Sequence, residues 1–339
     1  SHVPVQEMEL LAAPLIVRSA DDVAADRQEV VMFLHDFSFR PADEVLAEIT
    51  GSNREDDMAA MGGMQMGDDA MAGMDMSAGG MAGMDMSGAG MEMDLNDFDF
   101  DAYLANDRTL SDPEVIAVAA GGRIRLRVVN AASATSFWID TGEVDARLVA
   151  VDGHAIVPLP GRRFGMAMAQ RLDIDIDLPG GGAWPVLALR EGARERTGLI
   201  LASPGSAVQR ISAMGDEETP PFDVGLEQEM RLRAAVPLDV RPADRSRLVV
   251  LAGGMQPYAW TIDGRLWGDH TPITAQTGER VELTFQNMSM MGHPMHLHGH
   301  VFQVVKLNGR PIQGAIRDTI YVPPMAQITV ALDAGEAAR

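Results

Sequence analysis

The chain has 339 residues, of which 46% are hydrophobic and only 5% aromatic, and a formal net charge of −22. That length exceeds one ordinary core and calls for two or three domains, while the acidic balance argues against phosphate backbones and so against nucleic acid as a partner. With no cysteine present, disulfides, zinc-thiolate sites and thiol nucleophiles are excluded within these residues.

Taken in chain order, the sequence opens at Ser1 without an initiator methionine or a signal-peptide pattern, and nowhere does an apolar run approach the ~20 residues of a spanning helix. A soluble piece of a longer protein is expected, with residues 1–26 belonging to an earlier unit. His35, in VVMFLHDF, is expected to be a packed or edge residue of an apolar strand. Twelve of the 24 methionines then fall between Met58 and Met93, among Gly, Ala, Asp and Ser. Two near-identical decapeptides, from Met71 and from Met81, mark residues 58–93 as a low-complexity insertion that cannot bury a core.

Beyond the insertion the pattern is that of strands. Ile124, Leu126 and Val128 alternate with Arg123, Arg125 and Arg127; Leu172, Ile174, Ile176 and Leu178 alternate with Asp173, Asp175 and Asp177; Val281, Leu283 and Phe285 alternate with Glu282, Thr284 and Gln286. A period of two with one apolar face predicts half-buried antiparallel strands. GGRIRLRVVN at Gly121 to Asn130 aligns with GERVELTFQN at Gly278 to Asn287, an offset of 157 residues. The offset carries Met168-Ala169-Gln170 onto Met325-Ala326-Gln327, with a one-residue slip at Asp152-Gly153 and Asn308-Gly309. Two copies of one β-sandwich are therefore expected, over residues 27–205 and 225–339, joined by a Pro- and Gly-rich acidic linker from Ser203 to Val224.

Four of the eight histidines lie in GHPMHLHGHVF. Side chains two apart on a strand share a face, so His296, His298 and His300 are expected to point one way and His293 the other, and one segment could serve two metal sites. Imidazole suits copper, zinc, iron and nickel alike, so the residues alone do not choose the metal. The bland alternative is a row of ordinary sheet histidines. Against it, the 157-residue offset puts Ser136, Ile139, Thr141 and Glu143 at the equivalent places, so the fold does not need histidine there. His154 and His270 sit in turn-like contexts and are not expected to be ligands.

His293-Pro294-Met295-His296-Leu297-His298-Gly299-His300 resembles the H-P-x-H-x-H-G-H copper motif of the multicopper oxidases. The resemblance implies an all-β fold of tandem cupredoxin-like Greek-key sandwiches, with residues 1–26 the end of the first domain. It implies His293 at the mononuclear type 1 copper, His296 at type 2 and His298 at one of the type 3 pair. Ser1-His2 with Gln6 and Pro14-Leu15-Ile16-Val17 resembles the end of an H-S-H motif, which makes His2 a type 3 candidate, although Ala12 and Ala13 stand where glycine is usual. The Met-rich insertion, FDAYLANDRTL at Phe100 to Leu110 and WTIDG at Trp260 to Gly264 resemble the periplasmic, laccase-like copper-resistance branch.

Thioethers favour Cu(I). Met64 with Met66, Met74 with Met76, Met84 with Met86, and Met91 with Met93 are therefore candidate Cu(I) ligands, each pair able to supply two sulfurs to one ion. The implied activity is oxidation of Cu(I) or a phenol, a small reducing substrate, with dioxygen reduced to water at copper. A copper-sequestering protein with a vestigial centre is the alternative. A type 1 copper also takes a cysteine thiolate, and the family's H-C-H segment is not in this sequence, so these 339 residues alone are expected to be inactive.

Overall fold

A computed structural model describes residues 3–51, 95, 98–255, 257–269 and 271–335. Outside the described residues lie His2, His270 and all the candidate Cu(I) ligands: Met64, Met66, Met74, Met76, Met84, Met86, Met91 and Met93.

Among the described residues the first sandwich has eleven strands: Gln28–Phe37 (β1), Ala102–Ala105 (β2), Val115–Ala117 (β3), Arg123–Asn130 (β4), Phe137–Asp140 (β5), Ala146–Val151 (β6), His154–Gly161 (β7), Arg163–Met166 (β8), Arg171–Asp177 (β9), Ala183–Arg190 (β10) and Arg196–Ala202 (β11). One sheet runs β2-β1-β4-β9-β6-β7 and the other β3-β11-β10-β5-β8. Between them lies a core that includes Leu34, Leu126, Phe137, Ile139, Leu148 and Ile174, all fully buried. The second sandwich follows with Arg245–Met255 (β12), Tyr258–Ile262 (β13), Arg280–Asn287 (β14), His293–His296 (β15), Phe302–Leu307 (β16), Arg310–Pro311 (β17), Ile316–Arg317 (β18), Thr319–Val322 (β19) and Gln327–Asp333 (β20). Its main sheet runs β13-β12-β14-β20-β16-β17, and β15 pairs with β19.

The three alternating segments form β4, β9 and β14 as expected, with one difference: β4 and β14 are antiparallel only to β9 and β20, and parallel to β1 and β12 on their other sides. The charged face of β4 is also less exposed than its alternation suggests. Arg125 and Arg127 stand opposite Asp175 and Asp173, and Asp22 and Glu29 close over them, so that Arg127 is only 6% exposed. A buried guanidinium needs such partners, because an unpaired one would cost several kcal/mol, roughly, in lost hydration.

The duplication reaches individual hydrogen bonds. Asn106 Oδ1 takes the Phe33 amide, as Asp263 Oδ1 takes that of Val250; Asp152 Oδ1 takes the Arg171 amide, as Asn308 Oδ1 takes that of Gln327. A bulge interrupts β6 between Leu148 and Ala150 and β16 between Val304 and Lys306. These pairings correct the offset. The slip falls early, between the pair Ala132 and Ser289, both held by the preceding Asn Oδ1, and the pair Thr135 and Met291, whose carbonyls accept from the same Asn amide nitrogens. Ala169 and Met325, both at left-handed φ near 60°, are therefore the matching pair, one residue away from the sequence alignment.

Candidate metal centre

The register of β15 is fixed by β19: His293 lies opposite Val322 and His296 opposite Thr319, as Phe137 lies opposite Met166 and Asp140 opposite Arg163 in the first sandwich. The residues that replace His293 and His296 in the first copy are thus Phe137 and Asp140, with Gly142 in place of His298. The expected equivalents Ser136, Ile139, Thr141 and Glu143 are displaced by the misplaced slip. The inference drawn from them stands, since Asp140 there pairs with Arg163 in an ordinary ion pair and the fold again does without histidine.

The strand ends at His296, and Gly299 at φ 70° turns the chain away. His298 and His300 are therefore beyond the strand, not within it as expected. Even so, the His296 and His298 rings lie 4.9 Å apart, centroid to centroid. His293 faces elsewhere: its ring meets the Trp260 indole edge-on at 4.9 Å and its Nε2 lies 2.8 Å from Ser289 Oγ.

Hydrogen bonding sets different free nitrogens on the two strand histidines. Asp318 O, 3.0 Å from His296 Nδ1, can only accept, so Nδ1 carries the hydrogen and Nε2 keeps its lone pair. Ser289 Oγ has two carbonyl acceptors for its single proton, Asn287 Oδ1 and Met291 O, and its contact to His293 is satisfied by Nε2–H donation. His293 then offers Nδ1. Burial lowers the pKa of His293, which favours the neutral ring a metal requires. His300 differs from the others, because its Nε2 accepts the Gly335 amide at 3.2 Å and serves as a backbone pin.

These donors fit copper, a metal that takes imidazole nitrogen, yet among the described residues no three His, Cys, Asp or Glu side chains gather as a metal cage. A copper site built on these histidines would draw only part of its ligand set from the described residues.

The profile described as multicopper oxidase matches residues 239–338. Multicopper oxidase MmcO of Mycobacterium tuberculosis is 30% identical over 239 residues, 70% of this chain and 46% of that protein. The chain belongs to the multicopper oxidase family. Copper resistance protein A of Escherichia coli is 36% identical over 86 residues, 25% of this chain and 14% of that protein. Among solved structures, Fet3p, a multicopper oxidase that functions in iron import, superposes with TM-score 0.64 at 12% identity, over 90% of this chain and 60% of its own. The chain spans less than half the length of MmcO, and its two sandwiches have the cupredoxin-like fold. Copper is the cofactor of this multicopper oxidase family.

Several residues around the histidines escaped the sequence reading. WTIDG was noted as a family resemblance, but nothing in its spacing placed Trp260 on His293. Ser289, Asp318 and Thr319 carry no local signal, since their role arises only when β19 pairs with β15. Gly292 is the remaining such residue: a Cβ there would come within 2.0 Å of Tyr321 Oη, and Tyr321 is 7% exposed. Gly292→Ala is expected to lower stability by about 1–3 kcal/mol through overpacking. An unchanged urea midpoint for this variant would show that Tyr321 moves aside freely.

Proposed function

We propose that this chain forms the last part of the first cupredoxin unit (1–26) and most of the second (27–205) and third (225–339) units of a periplasmic, copper-resistance-type multicopper oxidase. In this reading the natural protein oxidises Cu(I) or a phenolic compound one electron at a time and reduces dioxygen to water. Its coppers supply the one-electron steps and the binding of dioxygen.

His293 holds the type 1 copper, His296 the type 2 copper, and His298 and His2 type 3 coppers. The chain's own residues do the positioning. Ser289 fixes the His293 ring with Nδ1 free and Trp260 walls it; the Asp318 carbonyl fixes His296 with Nε2 free. One observation carries the reading: a four-residue strand turns two imidazoles to different surroundings with different nitrogens available, which suits two electron sites linked by one short segment. Met64, Met66, Met74, Met76, Met84, Met86, Met91 and Met93 are proposed to collect Cu(I), for which thioether sulfur is a favoured donor.

Titration of the 339-residue chain with Cu(II) tests the ligand assignment. Binding in competition with a chelator is expected to weaken in His296→Ala and His298→Ala. No intense blue band is expected, because the chain has no cysteine to supply thiolate charge transfer. An intense blue band, or binding indifferent to both substitutions, would overturn the assignment.

A further inference from the structure

The segment behind His296 is held from the other sandwich. Arg171, the first residue of β9, sets its guanidinium against the Asp318 carboxylate, with Nη1 2.8 Å from Oδ1 and Nη2 closing on Oδ2. Its Nη1 also donates to Ala169 O at 2.8 Å. Asp152, whose side chain is fully buried, uses Oδ1 for the Arg171 amide at 2.9 Å and Oδ2 for the Thr319 amide at 3.1 Å. Gln170 Nε2 adds a bond to Thr319 O at 3.2 Å. Asp318 and Thr319 then present to His296 Nδ1 a backbone carbonyl and a hydroxyl oxygen, each at 3.0 Å. The Thr319 hydroxyl donates its own proton to Asp318 Oδ1 at 2.8 Å, so toward the ring it can only accept.

The internal duplication separates this arrangement from ordinary turn architecture. Asn308 makes the same turn bond in the second sandwich with a neutral amide, so the turn does not require a carboxylate at Asp152. Its second oxygen is used across the interface, on the Thr319 amide.

We infer that Arg171 and Asp152 of the first sandwich are positioning residues for His296, clamping Asp318-Thr319 so that the imidazole is locked with Nδ1 protonated and Nε2 presented. The inference rests on the reading of His296 as a copper ligand. A sandwich whose equivalent strand carries no histidine thereby helps orient a ligand in its neighbour: Asp318 and Thr319 are the outer partners of the imidazole, and the residues that brace them come from a different domain.

The test uses the 339-residue chain labelled with 15N-histidine, with the His296 tautomer read from long-range 1H–15N correlations in the absence of copper. The wild type is expected to show a single Nδ1–H tautomer. Arg171→Met, which keeps the bulk and loses the donors, is expected to give a mixture of tautomers and about a tenfold loss in Cu(II) affinity; Arg171→Lys is expected to recover part of both. Arg147→Met loosens an ion pair elsewhere in the first sandwich, Arg147 with Asp177, and is expected to leave the tautomer unchanged.

A single Nδ1–H tautomer retained in Arg171→Met, or lost equally in Arg147→Met, would overturn the clamp. Should Arg171→Met fail to fold, Arg171→Ala with a wild-type tautomer and affinity overturns it as well. A mixed tautomer with undiminished copper affinity supports the clamp and instead contradicts His296 as a copper donor.

Discussion

Replacing His293 by alanine in the natural protein is expected to remove the blue type 1 signal and the oxidation of substrate, while the remaining coppers stay largely bound. His296→Ala or His298→Ala is expected to do the reverse, keeping the blue band but halting oxygen uptake as cluster copper is lost. The separation follows from geometry: His293 lies against Trp260 and Ser289, whereas His296 lies against His298, Asp318 and Thr319. Each substitution removes one donor from one environment and leaves the other intact. Loss of fold is not the expected cause, because the first sandwich builds the same strand with Phe137 and Asp140 at these places. Loss of an outer partner costs a metal site about 10–100-fold, and loss of the ligand itself is expected to cost more. Copper stoichiometry, the visible spectrum and oxygen uptake measured for each variant decide it. A blue band bleached by His296→Ala and spared by His293→Ala would invert the assignment.

The second large effect concerns pH and the packing between the sandwiches. Phe222 lies between Trp138 and Tyr321, with ring centroids 5.7 and 4.9 Å away. Glu191 Oε1 holds the Phe222 amide at 2.6 Å. Burial pushes the Glu191 carboxyl up to about 7, against the opposing hydrogen bonds from Phe222 and Ser136. An acid whose pKa is raised by folding keeps its proton after the unfolded chain has released it. Stability therefore falls as pH rises from the ordinary glutamate value to about 7, and levels off above. At about 1.4 kcal/mol per unit, the loss is on the order of 3 kcal/mol. Glu191→Gln retains an acceptor for the Phe222 amide and removes the titration, so it is expected to stabilise the protein by up to that order at pH 8 and by little at pH 5. Denaturant unfolding at the two pH values measures it; an effect of equal size at both would show that the carboxyl does not titrate in this window.

The strands were legible wherever one face is apolar, because Ile124, Leu126 and Val128, or Val281, Leu283 and Phe285, leave no helical stripe. The histidine segment was legible for a different reason: donor spacing constrains chemistry locally, and parity separates His293 from His296 even though the strand stops before His298. What stayed hidden is long-range. The one-residue slip could not be placed from identities, since only the paired bonds at Ala132 and Ser289, and at Thr135 and Met291, reveal it. The arginine face of β4 looked like a solvated surface because Asp22 and Glu29 lie some hundred residues away. Likewise Arg171 and Asp318 are separated by 147 residues, and neither type nor spacing marks them as partners. Each of these contacts is made by closing a long loop, and no short window of sequence carries its signature.

The central claim is that one short strand serves two copper sites on different sides. Anomalous diffraction at the copper edge, from crystals of the natural protein loaded with copper, tests it most directly. The expected map has one copper peak bonded to His293 Nδ1 and separate peaks bonded to His296 and His298, with the His296 contact made through Nε2. A single peak shared by His293 and His296, or copper bound to His296 through Nδ1, would contradict it.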